Sequence, residues 1–182
     1  MKKLLLLITT IGLLTACKGD DEAPDPGNYQ TPLPEATQNG KGTFACYVDG
    51  MAYIVEKHQI NSYYQYTQEH YAFSISGAKK EKPLFGILMG FSSSGLSQGI
   101  TYDLKDRKSR NPWGGIGFVY EPEIPYQTNY TNGTTYKGEF TITKLDLERQ
   151  IISGTFWFDV KDPKTGETRK VRDGRFDVVA NF

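Results

Sequence analysis

The chain has 182 residues, and its 21 Lys and Arg residues are balanced by 21 Asp and Glu residues. This balance argues against a nucleic-acid partner, because nucleic-acid binding normally depends on a clustered basic face. The chain also carries 19 Gly, 12 Tyr and 10 Phe residues. A composition rich in glycine and aromatic residues favours strands and turns over a helical bundle.

Residues 1–16 have the pattern of an export signal. Lys2 and Lys3 precede an apolar run from Leu4 to Leu14. This run is shorter than the roughly 20 residues needed to span a bilayer, and it has the length of a signal-peptide core. The Leu-Thr-Ala sequence before Cys17 resembles the lipobox of bacterial lipoproteins. That resemblance implies cleavage before Cys17 and acylation of its thiol, which would anchor the mature protein in a membrane.

Residues 17–42 are predicted to form a flexible tether. A Lys-Gly-Asp-Asp-Glu stretch directly follows the cysteine. It resembles the signal that routes lipoproteins of Bacteroidota to the outer face of the outer membrane. The segment is then rich in proline and poor in apolar residues, so it is too polar to offset the entropy of ordering. Such a tether would hold the following domain away from the lipid surface.

Residues 43–182 are predicted to form one antiparallel β-domain, because apolar and polar residues alternate in several segments. An Asp-Gly pair at residues 49–50 predicts a tight hairpin between two of these segments. The predicted strands are residues 43–48, 51–55, 71–76, 84–91, 99–104, 115–120, 136–145, 150–160, 168–171 and 175–182. Roughly eight to ten strands would form either a β-sandwich or a flattened barrel, and the pattern does not separate the two.

Aromatic residues outside the predicted core are the candidates for ligand binding. Trp113 lies in a predicted loop, and Trp157 alternates away from the predicted core face of its strand. Tyr126 and Tyr130 belong to the tyrosine-rich middle of the chain. Such side chains can stack on sugar rings or anchor a protein partner, because they combine rigid apolar area with a polar tip. The alternative is that a small sandwich simply buries its tyrosines.

Catalytic and metal-binding patterns are weak. Ser97 lies in a Gly-x-Ser-x-Gly sequence, but a strand is predicted after it, whereas a nucleophile elbow leads into a helix. Both histidines, His58 and His70, precede Ser97, although such hydrolases place the histidine last. We therefore expect no catalytic residues, no metal site and no cofactor. Cys46 alternates into the predicted core, which leaves Cys17 as the modifiable thiol.

These features together resemble small cell-envelope lipoproteins of Bacteroidota that carry an all-β domain of unknown function. The resemblance is densest in residues 44–50, 152–158 and 174–176. It implies an outer-membrane lipoprotein exposed at the cell surface, and it supplies no catalytic residues. The leading hypothesis is a non-catalytic binding module for a carbohydrate or a protein partner. The alternatives are a β-barrel carrier of a small apolar ligand and a hydrolase.

Overall fold

The computed structural model describes residues 31–67, 69–79, 84–107, 111–119 and 127–182. Cys17 and Tyr126 lie outside these residues. The described strands are β1 Thr43–Val48, β2 Met51–Ile54, β3 Ile60–Thr67, β4 His70–Ala78, β5 Leu84–Ser93, β6 Thr101–Asp103, β7 Trp113–Val119, β8 Gln127–Tyr130, β9 Gly138–Asp146, β10 Ile151–Lys161 and β11 Thr168–Val179. A 3₁₀ turn, Lys57–Gln59, joins β2 to β3.

The strands form two antiparallel sheets that pack as a sandwich. Sheet A has six strands in the order β2-β1-β11-β10-β9-β6, and sheet B has five in the order β3-β4-β5-β7-β8. The predicted all-β antiparallel fold is therefore confirmed. Of the two architectures left open by the sequence, the structure has the sandwich and not the closed barrel.

The core lies between the sheets and is filled by aromatic and branched side chains. Alternation along β10 directs Ile152, Phe156 and Phe158 inward, and all three are buried as predicted. Cys46 is fully buried on β1, so it belongs to the core. The largest fully buried aromatic side chains are Phe44, Phe73, Phe140, Phe158 and Phe176. Close packing of such rings is the main source of stability in a sandwich of this kind.

Turn chemistry explains where the structure agrees with the predicted strands and where it differs. Asp49 and Gly50 have φ angles of 49° and 81°, as a type I′ hairpin requires, and the predicted hairpin is confirmed. Asp173 also has a positive φ, of 50°, but here the chain forms a bulge inside β11 instead of the predicted break between two strands. Strands β3 and β8 were not predicted, because each lacks a clear apolar alternation.

Residues 31–41, which we call the strap, lie against the outer face of sheet A. The Tyr47 hydroxyl donates to the carbonyl oxygen of Thr31 at 2.9 Å. The Arg175 guanidinium donates to the carbonyl oxygen of Pro34 at 3.1 Å. The sequence analysis places residues 31–41 in the predicted tether, and in the structure these residues contact the β-domain. The rest of the predicted tether lies outside the described residues.

One buried carboxylate, that of Asp177, holds the strap to the sheet. It accepts hydrogen bonds from the hydroxyls of Thr37 at 2.6 Å and of Ser153 at 2.7 Å. The backbone N–H groups of residues 39, 40 and 41 donate three more, at 3.1, 2.8 and 3.1 Å. Burial by itself would raise the pKa of Asp177, but these hydrogen bonds outweigh it, so the pKa lies below its usual value.

We expect Asp177→Asn to lower the free energy of unfolding at neutral pH by about 2–4 kcal/mol. The donors that now bind a charged carboxylate would instead face an uncharged amide group, which accepts hydrogen bonds at its oxygen alone. The pKa is lowered in the folded state. The contribution of the carboxylate is therefore fully present above its unfolded-state pKa of about 3.9 and is lost as the pH falls through the folded-state pKa. Urea unfolding across this acid range measures both effects.

Asp173→Asn is the matched control for this substitution, because Asp173 lies on the same strand but is exposed. Asparagine also tolerates its positive φ. The control should change stability by less than about 0.5 kcal/mol. A stability gap between the wild type and Asp177→Asn that does not narrow in acid would contradict the role given to this carboxylate.

Candidate functional site

The outer face of sheet A carries a row of polar side chains around one tryptophan. Trp157 lies on β10 between two inward-facing phenylalanines, so its side chain points outward, as predicted, and it is half-buried. The strand register places Trp157 beside Glu139 of β9 and Thr155 beside Thr141. On the other side of β10, Thr155 pairs with Arg175 of β11. This register assembles an aromatic ring, a carboxylate, hydroxyls and a guanidinium on one surface.

Two contacts hold the Trp157 indole in place. Its Nε1–H donates to the Glu139 carboxylate at 3.3 Å. The guanidinium carbon of Arg172 stands over the ring, 5.4 Å from its centroid. Arg172 is itself held by an ion pair with Asp159 at 2.7 Å and by the carbonyl oxygen of Val171 at 2.9 Å. The indole is therefore preorganised, so binding a ligand would cost little additional side-chain ordering.

A groove lies on each side of Trp157. The first has a volume of about 350 Å³, and it is lined by Glu139, Thr155, Trp157, Arg175 and the strap residue Ala36, among others. The second has a volume of about 320 Å³, and its lining includes Glu139, Trp157 and three charged side chains from neighbouring loops and strands. Those three are Asp103, Lys105 and Lys137. Trp157 and Glu139 line both grooves. We therefore treat the two grooves as one site and call it the Trp157 groove.

The charges of the Trp157 groove balance. Within the part of the chain that the structure describes, six of its charged side chains form no ion pair. Three are acidic and three are basic: Asp103, Glu139, Asp173, Lys105, Lys137 and Arg175. Arg172 is already paired with Asp159. The site thus offers many hydrogen-bond donors and acceptors without a net charge, which suits an uncharged polar ligand better than an ion.

The predicted site residues do not converge on one surface. Trp113 and Tyr130 lie together on the outer face of sheet B, with ring centroids 5.1 Å apart. Trp157 lies on the opposite face of the sandwich. Glu139 could have been found from the sequence, because it precedes the inward-facing Phe140 and so must face outward. Arg175 likewise precedes the inward-facing Phe176, but the register that places it beside Thr155 was not evident from the sequence.

The residues considered for catalysis are not arranged as an active site. Ser97 is exposed in the loop before β6, and the chain after it enters a strand. His58 lies 3.3 Å from Glu56, but both side chains are about 70% exposed at a surface turn. Burial raises the pKa of the Cys46 thiol far above its usual value, so that thiol is unreactive. Among the described residues, no cluster of His, Cys, Asp and Glu could hold a metal ion.

Comparison with known proteins gives no relative. No protein-family model matches the chain. No curated protein and no solved structure matches it either. Within the described ranges, none of the helical structure is long and apolar enough to cross a bilayer.

We expect Arg172→Ala to loosen the Trp157 indole and to leave Asp159 without its ion partner. Because the pair is only partly exposed, the free energy of unfolding should fall by about 1–2 kcal/mol.

The mobility of the indole is measured in a Trp113→Phe background, where Trp157 is the remaining indole. There, Arg172→Ala should let acrylamide quench the Trp157 fluorescence more strongly. Lys144→Ala is the control, because its ion pair with Asp146 lies elsewhere on the sheet. Unchanged quenching would show that Arg172 does not hold the ring.

Proposed function

We propose that this chain is a lipid-anchored protein of the outer membrane that faces the cell exterior, and that its β-sandwich is a non-catalytic carbohydrate-binding module. The anchor is Cys17, on the strength of the lipobox-like sequence before it. The burial of Cys46 supports this assignment, because a buried thiol is not accessible to an acylating enzyme. The acidic stretch after Cys17 supports the outward orientation.

The observation that carries the binding proposal is the Trp157 groove. A half-exposed indole can pack against the C–H face of a sugar ring, because both surfaces are rigid and apolar. Carboxylates and guanidinium groups beside that ring can accept from and donate to sugar hydroxyls. Glu139 and Arg175 occupy these positions around Trp157. Since the charges of the groove balance, we assign an uncharged glycan as the ligand.

The other functions considered from the sequence have less support. A barrel carrier requires an enclosed apolar cavity, whereas the two sheets pack as a sandwich and aromatic side chains fill the space between the described strands. A hydrolase requires a nucleophile, a base and an orienting acid in mutual contact. The described candidates Ser97, His58 and His70 lie on separate surface segments. The sandwich could bind a protein partner instead of a glycan, and the binding experiment below distinguishes these two ligands.

The lipid anchor is tested on the protein purified from the membrane of a host that processes bacterial lipoproteins. We expect the wild type to begin at Cys17 and to carry acyl chains there by mass spectrometry. Cys17→Ser should keep the residues before position 17 and carry no acyl chains, because acylation requires the thiol and the cleavage that the lipobox implies depends on it. Cys46→Ser is the control and should remain acylated. An N-terminus at another residue would overturn the anchor.

The binding site is tested by screening the sandwich domain with its strap, residues 31–182, against neutral and charged glycans. Affinities for the hits are then measured by calorimetry. Trp157→Ala should weaken binding of a neutral glycan about tenfold or more, because about 1.4 kcal/mol of ring stacking would be lost. Glu139→Gln should weaken it less, since the amide keeps an acceptor.

Trp113→Phe is the matched control for Trp157→Ala and should bind the same glycan with unchanged affinity. If no neutral glycan binds, or if Trp157→Ala binds as the wild type does, the carbohydrate proposal is wrong. Capture of an envelope protein that is lost with Trp157→Ala would instead assign this groove to a protein partner.

A further inference from the structure

The outer face of sheet B holds a second cluster, formed by Trp113, Tyr130 and Arg107. The register places Trp113 beside Gly90, and Tyr130 beside Gly115. A Cβ atom on Gly90 would collide with the Trp113 indole, and a Cβ atom on Gly115 would collide with the Tyr130 ring. The two glycines therefore let both aromatic rings approach the sheet closely.

Arg107 is held by both rings. Its guanidinium carbon lies 5.0 Å from the centroid of Trp113 and 4.8 Å from that of Tyr130. It also donates a hydrogen bond to the Tyr130 hydroxyl. The two rings meet edge to face, at 88°. Because Arg107 contacts both rings, and the Trp113 indole is itself packed against Gly90, Trp113 serves as a support for Arg107.

The backbone under Arg107 is also fixed, by the buried Thr131. The Thr131 hydroxyl donates to the carbonyl oxygen of Lys105 at 3.0 Å and accepts from the N–H of Gly114 at 3.2 Å. The N–H of Lys105 donates to the carbonyl oxygen of Pro112 at 2.6 Å. These bonds join the segment that carries Arg107 to the strand that carries Trp113. The guanidinium is thus positioned from its backbone as well as from its rings.

The charge of Arg107 has no ionic partner within the described ranges. A guanidinium carries five N–H donors in one plane, and the Tyr130 hydroxyl takes one of them. A flat, fixed guanidinium with free donors matches the two oxygens of a carboxylate or phosphate. We infer that Arg107, supported by Trp113 and Tyr130, forms an oxyanion-binding site on sheet B, separate from the Trp157 groove.

The two tryptophans of the chain allow the two sites to be observed separately. In a ¹⁵N-labelled protein each indole N–H gives its own NMR signal, assigned with Trp113→Phe and Trp157→Phe. The probes are glucuronate, which presents a carboxylate, glucose 6-phosphate, which presents a phosphate, and uncharged glucose. We expect the Trp113 signal to move saturably with one or both charged probes and not with glucose. The probe that binds more tightly identifies the source of the oxyanion.

Two substitutions of the exposed Arg107 separate charge from geometry. Arg107→Gln should abolish the movement of the Trp113 signal. Arg107→Lys should weaken binding about three- to fivefold, because lysine keeps the charge but loses the planar pair of donors. Raising the salt concentration from about 0.02 M to about 0.5 M should weaken binding in the wild type. An unchanged Trp157 signal in both variants shows that the fold is intact.

The inference is overturned if neither charged probe moves the Trp113 signal saturably, or if Arg107→Gln responds as the wild type does. Neither result would affect the carbohydrate proposal, which is reported by the Trp157 signal. Conversely, Trp157→Ala should leave oxyanion binding unchanged. Failure of one site can therefore be told from failure of the other.

Discussion

The buried carboxylate of Asp177 is the constraint on which the candidate site depends. It gathers five hydrogen-bond donors, three of them from the strap backbone, onto one acceptor between strands β10 and β11. A charge placed out of water is tolerated only when it is satisfied in this way. The strap is consequently held to sheet A, where it contributes Ala36 to the groove wall and the Pro34 carbonyl to Arg175.

The core of the sandwich provides stability, whereas its outer faces carry the candidate binding groups. Between the sheets, closely packed aromatic and aliphatic side chains fill the core of the described residues. The chemistry therefore lies on the outer faces, where alternation directs the remaining side chains. On sheet A, acidic and basic groups are interspersed around Trp157 and their charges balance. On sheet B, the glycines beneath Trp113 and Tyr130 bring two rings close enough to hold one cation.

Both aromatic sites pair a cation with a tryptophan, but to different ends. Asp159 neutralises the charge of Arg172, which packs over the Trp157 ring and holds it in place. The indole is therefore the group that contacts a ligand. Among the described residues Arg107 has no such acid, so here the ring supports the cation and the cation meets the ligand. The presence or absence of one neighbouring carboxylate thus determines which member of each pair is available for recognition.

The amino-acid sequence by itself determined the local features of this protein: the lipobox-like leader, the Asp49-Gly50 hairpin, the inward face of β10 and the outward direction of Trp157. Each depends on residues that are neighbours along the chain. The tertiary structure alone decided that the sheets form a sandwich, that the strap is held by Asp177, and that Trp113 and Trp157 lie on opposite faces. The physical reason is that these outcomes join residues distant in sequence, such as Thr37 and Asp177. Alternation indicates which side of a strand is buried, but not which sheet that strand joins.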